Sequence, residues 1–84
     1  MEKSIFTEQS IALQNLLRDL RIQANLRQAD LAELLGEPQS FVSKYESGER
    51  RLDLHELRQI CKACECSLVD FVRRYEECVS EAGS

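Results

Sequence analysis

The sequence predicts an all-α domain of five helices, and three observations support this prediction. Apolar residues recur every three or four positions along most of the chain, the spacing that places them on one face of a helix. Residues that begin or end helices stand between most of these periodic segments. No segment alternates apolar and polar residues as strands do. At 84 residues and without a long linker, the chain is expected to form one domain over 1–84, with its core at about 8–78.

The predicted helices span residues 8–24, 28–35, 39–47, 54–64 and 68–78. Gly36 is expected to end the second helix, because glycine has no Cβ to clash at positive φ, and Asn25 tolerates the same conformation after the first. N-caps are expected at Thr7, Asp53 and Ser67, with Glu56 and Asp70 completing capping boxes. Beyond Glu76 the chain becomes small and polar, and its end is expected to fray. One core is predicted from Leu17, Leu20, Leu31, Leu35, Val42, Leu57, Ile60, Cys61 and Phe71.

The segment from Leu26 to Leu52 suggests a function, because two short predicted helices meet there at a tight turn. Val42 and Tyr45 face one side of the second of these helices. The other side carries the polar residues Gln39, Ser40, Ser43, Lys44 and Ser47. Glutamine can pair bidentately with adenine, while lysine and serine reach guanine, phosphate or water. Any surface helix has a polar face, but one that follows a compact helix and a glycine turn suits recognition of the DNA major groove.

The residues of this segment also stand at a specific spacing: Leu26, Gln28, Leu31, Ala32, Leu35, Gly36, Gln39, Ser40, Val42, Ser43, Lys44, Glu46, Gly48, Arg51 and Leu52. In them the chain resembles the helix-turn-helix family of the lambdoid phage repressors and Cro proteins, which includes the xenobiotic-response-element (XRE) type of bacterial regulators. The resemblance covers roughly residues 10–75. It implies a five-helix, lambda-repressor-like domain that binds double-stranded DNA as a homodimeric repressor. Its operator would be pseudo-palindromic, with half-sites ~34 Å apart. No cofactor is expected.

The resemblance and the helix geometry together divide the expected DNA contacts into two classes. Base readout is assigned to the N-terminal half of the recognition helix, at Gln39, Ser40, Ser43 and Lys44. Backbone contacts are assigned to Gln28, at a helix N-terminus, and to Arg50 and Arg51, with Ser47 and Arg27 as further candidates. The resemblance also implies a structural ion pair between Arg21 and Glu46 behind the DNA face.

Arg27 departs from the family pattern, in which threonine or serine usually caps the second helix. Two interpretations stay open. The helix loses a cap, which destabilises it, or the arginine adds a phosphate contact.

The formal net charge of −4 argues against nucleic acid, for which a basic domain is the usual footprint. The segment Leu26–Arg51 holds four basic and five acidic residues, so the positions of the charges decide the matter. Arg27, Lys44, Arg50 and Arg51 are expected on or beside the DNA face. An alternative function is therefore retained, in which the same fold is a protein-interaction module such as an antirepressor or an antitoxin-like binder.

A dimer is expected to use the C-terminal helix, which carries more apolar surface than one small core can cover. The interface candidates are Val69, Val72, Tyr75, Cys78 and Val79, with Ile5 or Phe6 joining them.

The four cysteines invite a metal or redox interpretation, since Cys61-x-x-Cys64-x-Cys66 places three thiols within six residues. Structural zinc needs four ligands, and the only histidine, His55, stands at the far end of the same predicted helix. Core packing is the favoured interpretation because free cysteine packs as a small hydrophobe, while a thiol sensor and a metal site remain alternatives. No catalytic group, small-molecule substrate, membrane span or signal peptide is predicted, so a cytoplasmic location is expected.

Overall fold

The computed structural model describes residues 8–83, with side chains for residues 8–80. Its helices are α1 (Glu8–Gln23), α2 (Gln28–Leu35), α3 (Gln39–Ser47), α4 (Leu54–Ala63) and α5 (Leu68–Gly83). Residues 8–83 contain no strand, so the five-helix, all-α prediction is confirmed. The expectations for Ile5, Phe6 and Thr7 lie outside the described residues. No described helix is both long enough and apolar enough to span a membrane.

One core joins all five helices. It consists of Leu17, Leu20, Leu31, Ala32, Val42, Tyr45, Ile60, Cys61, Cys64 and Phe71. Two residues of the predicted core, Leu35 and Leu57, are only partly buried and pack against its edge. Leu35 is the last residue of α2, where Gly36 turns the chain to the surface. Tyr45 is 2% exposed and is one of the largest side chains of the core.

The first four helices each end before a residue in the left-handed conformation. These residues are Asn25 (φ 62°), Gly36 (φ 70°), Gly48 (φ 90°) and Glu65 (φ 59°). The predicted stops at Asn25 and Gly36 are confirmed. Nothing in the sequence marks Glu65 as such a position, because glutamate adopts positive φ rarely.

The predicted N-caps of α4 and α5 form. The Asp53 carboxylate accepts a hydrogen bond from the Glu56 N–H at 2.7 Å, and Glu56 accepts one from the Asp53 N–H at 3.0 Å. The Ser67 hydroxyl accepts a hydrogen bond from the Asp70 N–H at 3.0 Å. The predicted end of α5 near residue 78 is wrong, because the helix continues to Gly83. The small polar residues after Glu76 include no helix breaker before that glycine, so helical hydrogen bonding propagates through them.

The packing order places α2 and α3 side by side with α1 behind them. α1 packs against α3 and α5, α2 packs against α3 and α4, and α4 packs against α5. Because α1 and α5 form the back of the domain, the outer side of α3 stays uncovered.

Candidate nucleic-acid interface

The outer face of α3 presents four exposed polar side chains, those of Gln39, Ser40, Ser43 and Lys44. None of the four makes a side-chain hydrogen bond or ion pair with another residue of the described part of the chain. On the opposite face, Val42 is fully buried. The helical period thus sends apolar groups inward and leaves hydrogen-bonding groups free to bind a ligand.

A partly buried ionic network fixes α3 to the elements that precede it. Arg21 Nε donates to Glu46 Oε2 at 2.7 Å, and Arg21 Nη2 donates to Glu46 Oε1 at 3.0 Å. The third nitrogen, Arg21 Nη1, donates to the carbonyl of Leu26 at 3.0 Å. The side chains of Arg21 and Glu46 are only 12% and 5% exposed. The hydrogen bond to Glu46 raises the pKa of Arg21, so the guanidinium keeps its charge at all ordinary pH values.

Gln28 joins this network. Its Nε2 donates to Glu46 Oε1 at 3.1 Å, and the side chain is partly buried. The expected phosphate contact of Gln28 therefore falls to its backbone N–H and to the other free backbone N–H groups in the first turn of α2. The network has a second consequence, because it sets the distance between the N-terminus of α2 and the recognition surface of α3.

Arg27 is held by Asp30 at the start of α2. The Asp30 carboxylate accepts from the Arg27 N–H at 2.9 Å and from Nε and Nη2 at 3.0 and 2.9 Å. A guanidinium has no acceptor, so Arg27 cannot cap the helix with its own side chain. Asp30 supplies only the other half of a capping box, by accepting from the Arg27 N–H. The hydrogen bonds from Arg27 lower the pKa of the Asp30 carboxyl to about 2.

Arg50 is likewise engaged within the protein. Its Nη1 and Nη2 donate to the two carboxylate oxygens of Glu56 at 3.1 and 2.9 Å. The guanidinium carbon also lies 4.6 Å above the centre of the Phe41 ring, a cation–π geometry. Arg50 thus connects the loop after α3 to the first turn of α4. A phosphate would have to share this guanidinium with Glu56.

The other two residues predicted to contact the DNA backbone, Ser47 and Arg51, differ in whether their side chains are already bound within the protein. The Ser47 hydroxyl lies 3.1 Å from the carbonyl of Lys44 and 3.2 Å from the Glu49 carboxylate, so it is occupied. Arg51 is exposed, and no carboxylate pairs with it within the described residues. Among the basic residues expected at this surface, Lys44 and Arg51 therefore carry the uncompensated charge.

Three partners in this region went unrecognised in the sequence. Asp30 stands at the third position of α2, three residues after Arg27, and that spacing is a detectable signal. Glu56 is recognisable only as a capping-box residue, and its pairing with Arg50 arises from the loop path. Phe41 packs edge-to-face on Tyr45 at 5.5 Å between ring centroids, as their i, i+4 spacing allows, but no local pattern indicates that Arg50 lies over its ring.

The predicted dimer residues occupy one side of α5. Val69 and Val72 are 67% and 41% exposed. Tyr75, Cys78 and Val79 are partly buried, and none of the five belongs to the core or packs against it. Among the described residues, no group of three or more His, Cys, Asp or Glu side chains could hold a metal ion.

Comparison with known proteins identifies the family. The Helix-turn-helix family model matches residues 17–71. Similar solved structures include an XRE-family like protein from Pseudomonas syringae pv. tomato str. DC3000, with 39% identity over 82% of this chain and 84% of that chain, at a TM-score of 0.77. No curated protein matches the sequence.

Two further solved structures share the fold at lower identity. One is the restriction-modification controller protein C.Esp1396I, a tetramer in complex with its natural 35 base-pair operator. It is 22% identical over 87% of this chain and 96% of that chain, with a TM-score of 0.77. The other is the clp gene regulator ClgR from C. glutamicum, 24% identical over 79% and 85% of the two chains, with a TM-score of 0.71. With the family model covering most of its length and a 39% identical XRE-family like structure, the chain belongs to the XRE-type helix-turn-helix family of DNA-binding transcription regulators.

Proposed function

We propose that the protein is a dimeric, sequence-specific transcription regulator that inserts α3 into the major groove of a pseudo-palindromic operator. The observation that carries this proposal is the free polar face of α3, held rigid by the buried pair of Arg21 and Glu46. Side chains on a rigid element lose less conformational entropy when they bind. Repression, rather than activation, is the mode we favour. The operator complex of C.Esp1396I supports DNA binding by a domain of this shape.

The structure refines the proposed division of contacts. Gln39, Ser40, Ser43 and Lys44 read bases, since all four are exposed and without partners in the described residues. Arg51 is the principal backbone contact, because its charge is uncompensated. Gln28 contributes through the N-terminus of α2. Arg27, Arg50 and Ser47 contribute less, since each is already bound within the protein.

A second candidate function is a protein-interaction module, and one surface favours it. A groove of about 740 Å³ lies between α2, α3 and α4. Its lining includes the exposed Leu34, the carboxylates of Glu37, Asp53 and Glu65, and one lysine, Lys62, while the Glu56 carboxylate there is paired with Arg50. Such a rim repels DNA and suits a cationic protein segment.

The test begins with selection of bound duplexes from a random library, followed by salt titration on the selected and a scrambled duplex. Gln39→Ala should cost about 1–3 kcal/mol on the selected duplex and little on the scrambled one, so the specificity ratio falls. Arg51→Ala should weaken both duplexes and reduce the salt slope by about one per subunit. Failure to enrich any duplex, with sequence-independent binding at every salt concentration, would favour the interaction module.

Arg50→Ala serves as a matched comparison for Arg51→Ala. Glu56 already compensates the charge of Arg50. Arg50→Ala should therefore change the salt slope less than Arg51→Ala does. An equal change for both arginines would show that the pair with Glu56 opens on DNA, and it would contradict the proposed order of contacts.

A further inference from the structure

At the C-terminus of α4 a backbone hydrogen bond joins two cysteines. The chain there forms a Schellman motif around Glu65, in which the Cys66 N–H donates to the carbonyl of Cys61 at 2.9 Å and the Glu65 N–H donates to that of Lys62 at 3.0 Å. In this motif one hydrogen bond spans five residue positions, here from Cys66 to Cys61, and the side chains of the two residues that it joins commonly touch. In most helices that contact is between apolar residues. Here both residues carry thiols.

The two thiols differ in exposure. Cys61 is fully buried, whereas Cys66 is partly exposed, with its sulfur 3.4 Å from the Ser67 carbonyl. Burial raises the pKa of Cys61 to about 11, and that of Cys64 equally, and the nearby Cys66 adds to both shifts. Cys66 is therefore the thiol that a solute can reach, and Cys61 is the protected neighbour. All four cysteines are free in this structure.

We propose that Cys66 and Cys61 form a reversible thiol–disulfide pair that is oxidised by hydroperoxides. The Cys66 thiolate attacks the peroxide, so that an S–O bond forms, the O–O bond breaks, and the alkoxide or hydroxide leaves. The sulfur is oxidised and the peroxide oxygen is reduced. Cys61 then displaces hydroxide from the sulfenic acid, the S–S bond forms, and the Cys61 proton leaves with that hydroxide as water. Dithiols reverse the reaction by exchange.

The site is linked to α3 through Tyr45. The Tyr45 hydroxyl of α3 is buried without a hydrogen-bond partner among the described residues, and both Cys61 and Cys64 lie close enough to raise its pKa. When the Cys61 sulfur moves toward Cys66 to form the disulfide, the core around the Tyr45 ring loses packing contacts. We therefore expect oxidation to loosen α3 and to weaken operator binding several-fold, an effect that rests on the proposed function.

Peptide mapping tests the disulfide without DNA. The reduced protein is treated with hydrogen peroxide, its remaining thiols are alkylated under denaturing conditions, and it is digested with trypsin. Cys61 then lies in the peptide Gln59–Lys62, and both Cys64 and Cys66 lie in Ala63–Arg73. We expect a disulfide to join these two peptides. The mass should lie two hydrogens below the sum of Gln59–Lys62 and of Ala63–Arg73 alkylated once, at Cys64. Cleavage after Glu65 separates the two cysteines of the second peptide and assigns the bond.

Variants provide the controls. Cys66→Ser changes a partly exposed residue and should abolish the link while the protein stays folded. Cys78→Ser, on α5, and Cys64→Ser should both retain it. A bond from Cys64 to either neighbour, disulfide-linked dimers through Cys78, or higher oxidation of Cys66 without a bond would each overturn the proposal.

Operator binding is measured separately, on the duplex selected above, before oxidation, after it and after reduction with dithiothreitol. Several-fold weaker binding that recovers on reduction is the expected result, and it should vanish in Cys66→Ser. Unchanged affinity of the cross-linked protein would refute the effect on α3. If no duplex is selected, the proposed function has failed while the mapping result still stands.

Discussion

At the residue scale, the Glu46 side chain links three helices at the candidate interface. Its two oxygens accept three hydrogen bonds, from two nitrogens of Arg21 and from the amide of Gln28. The three residues belong to α1, α2 and α3. Because the carboxylate is only 5% exposed, water cannot replace a lost partner.

Glu46→Ala should therefore destabilise the protein strongly. Removing one partner leaves the Arg21 charge buried and uncompensated, which costs about 3 kcal/mol. Urea denaturation followed by circular dichroism measures the loss. Glu49→Ala is the matched control, since that glutamate is three residues further along and exposed, and it should change stability by less than about 0.5 kcal/mol. Equal losses in the two variants would contradict the structural role of the pair.

Glu56 gives a prediction about pH. The hydrogen bonds from Arg50, and then that from the Asp53 N–H, lower the pKa of Glu56 from 4.5 to about 2. A lowered pKa in the folded state means that the stabilisation is complete above pH 4.5 and is lost as the pH falls through about 2. An NMR titration of the Glu56 side-chain carbonyl should show this low midpoint. In Arg50→Gln the midpoint should rise toward 4.5, and a wild-type midpoint already at that value would refute the pairing.

At the scale of the helix, the positive-φ residues decide where α2 and α3 end. Gly36 and Gly48 have similar backbone conformations but different surroundings. A Cβ at Gly36 would meet nothing within 4 Å, whereas a Cβ at Gly48 would lie 2.5 Å from Nε2 of Gln14. The turn after α3 therefore needs glycine both for its positive φ and for the space that Gln14 occupies, whereas the turn after α2 needs it only for its positive φ.

This difference is measurable. Gly36→Ala should cost about 1 kcal/mol, the penalty for a side chain at positive φ. Gly48→Ala should cost more, because the Gln14 amide must also move away from α3. In a Gln14→Ala background that additional cost should disappear, while the cost at Gly36 stays the same. An identical loss for the two glycine variants in the wild-type background would show that Gln14 yields freely.

At the scale of the whole molecule, the net charge of −4 hides an uneven distribution. Asp30 and Glu56 each neutralise an arginine at the edge of the candidate interface. Lys44 and Arg51 keep uncompensated charges, and only Arg51 is assigned to phosphate, so binding is expected to depend on salt only modestly. A dimer would double these contacts.

The exposed valines of α5 are where that dimer should form. Val69→Asp combined with Val72→Asp should give a monomer with unchanged helicity, since both side chains are exposed in the single chain. Sedimentation equilibrium measures the mass. Leu34→Asp, at a leucine of α2 that is 60% exposed, is the control and should leave association intact. If the valine variant associates as the wild type does, the interface lies elsewhere.

Local interactions made much of this protein predictable from its sequence. The caps at Asp53 and Ser67 and the stops at Asn25 and Gly36 depend on residues within a few positions of one another. The polar outer face of α3 follows from the helical period alone. These features set the five helices and point to the surface that would meet DNA.

Tertiary structure decided which side chains remain available at that surface. Gln28, Arg27 and Arg50 are all polar and look equivalent in the sequence, yet each is bound to a carboxylate. Two of those carboxylates, Glu46 and Glu56, are brought near by the paths of α3 and of the loop that follows it. Glu65 also adopts a positive φ that glutamate rarely takes, in the turn where the Cys66 N–H bonds to the carbonyl of Cys61. Sequence periodicity specifies which way a residue faces, whereas its partner depends on the distances that folding creates between remote segments.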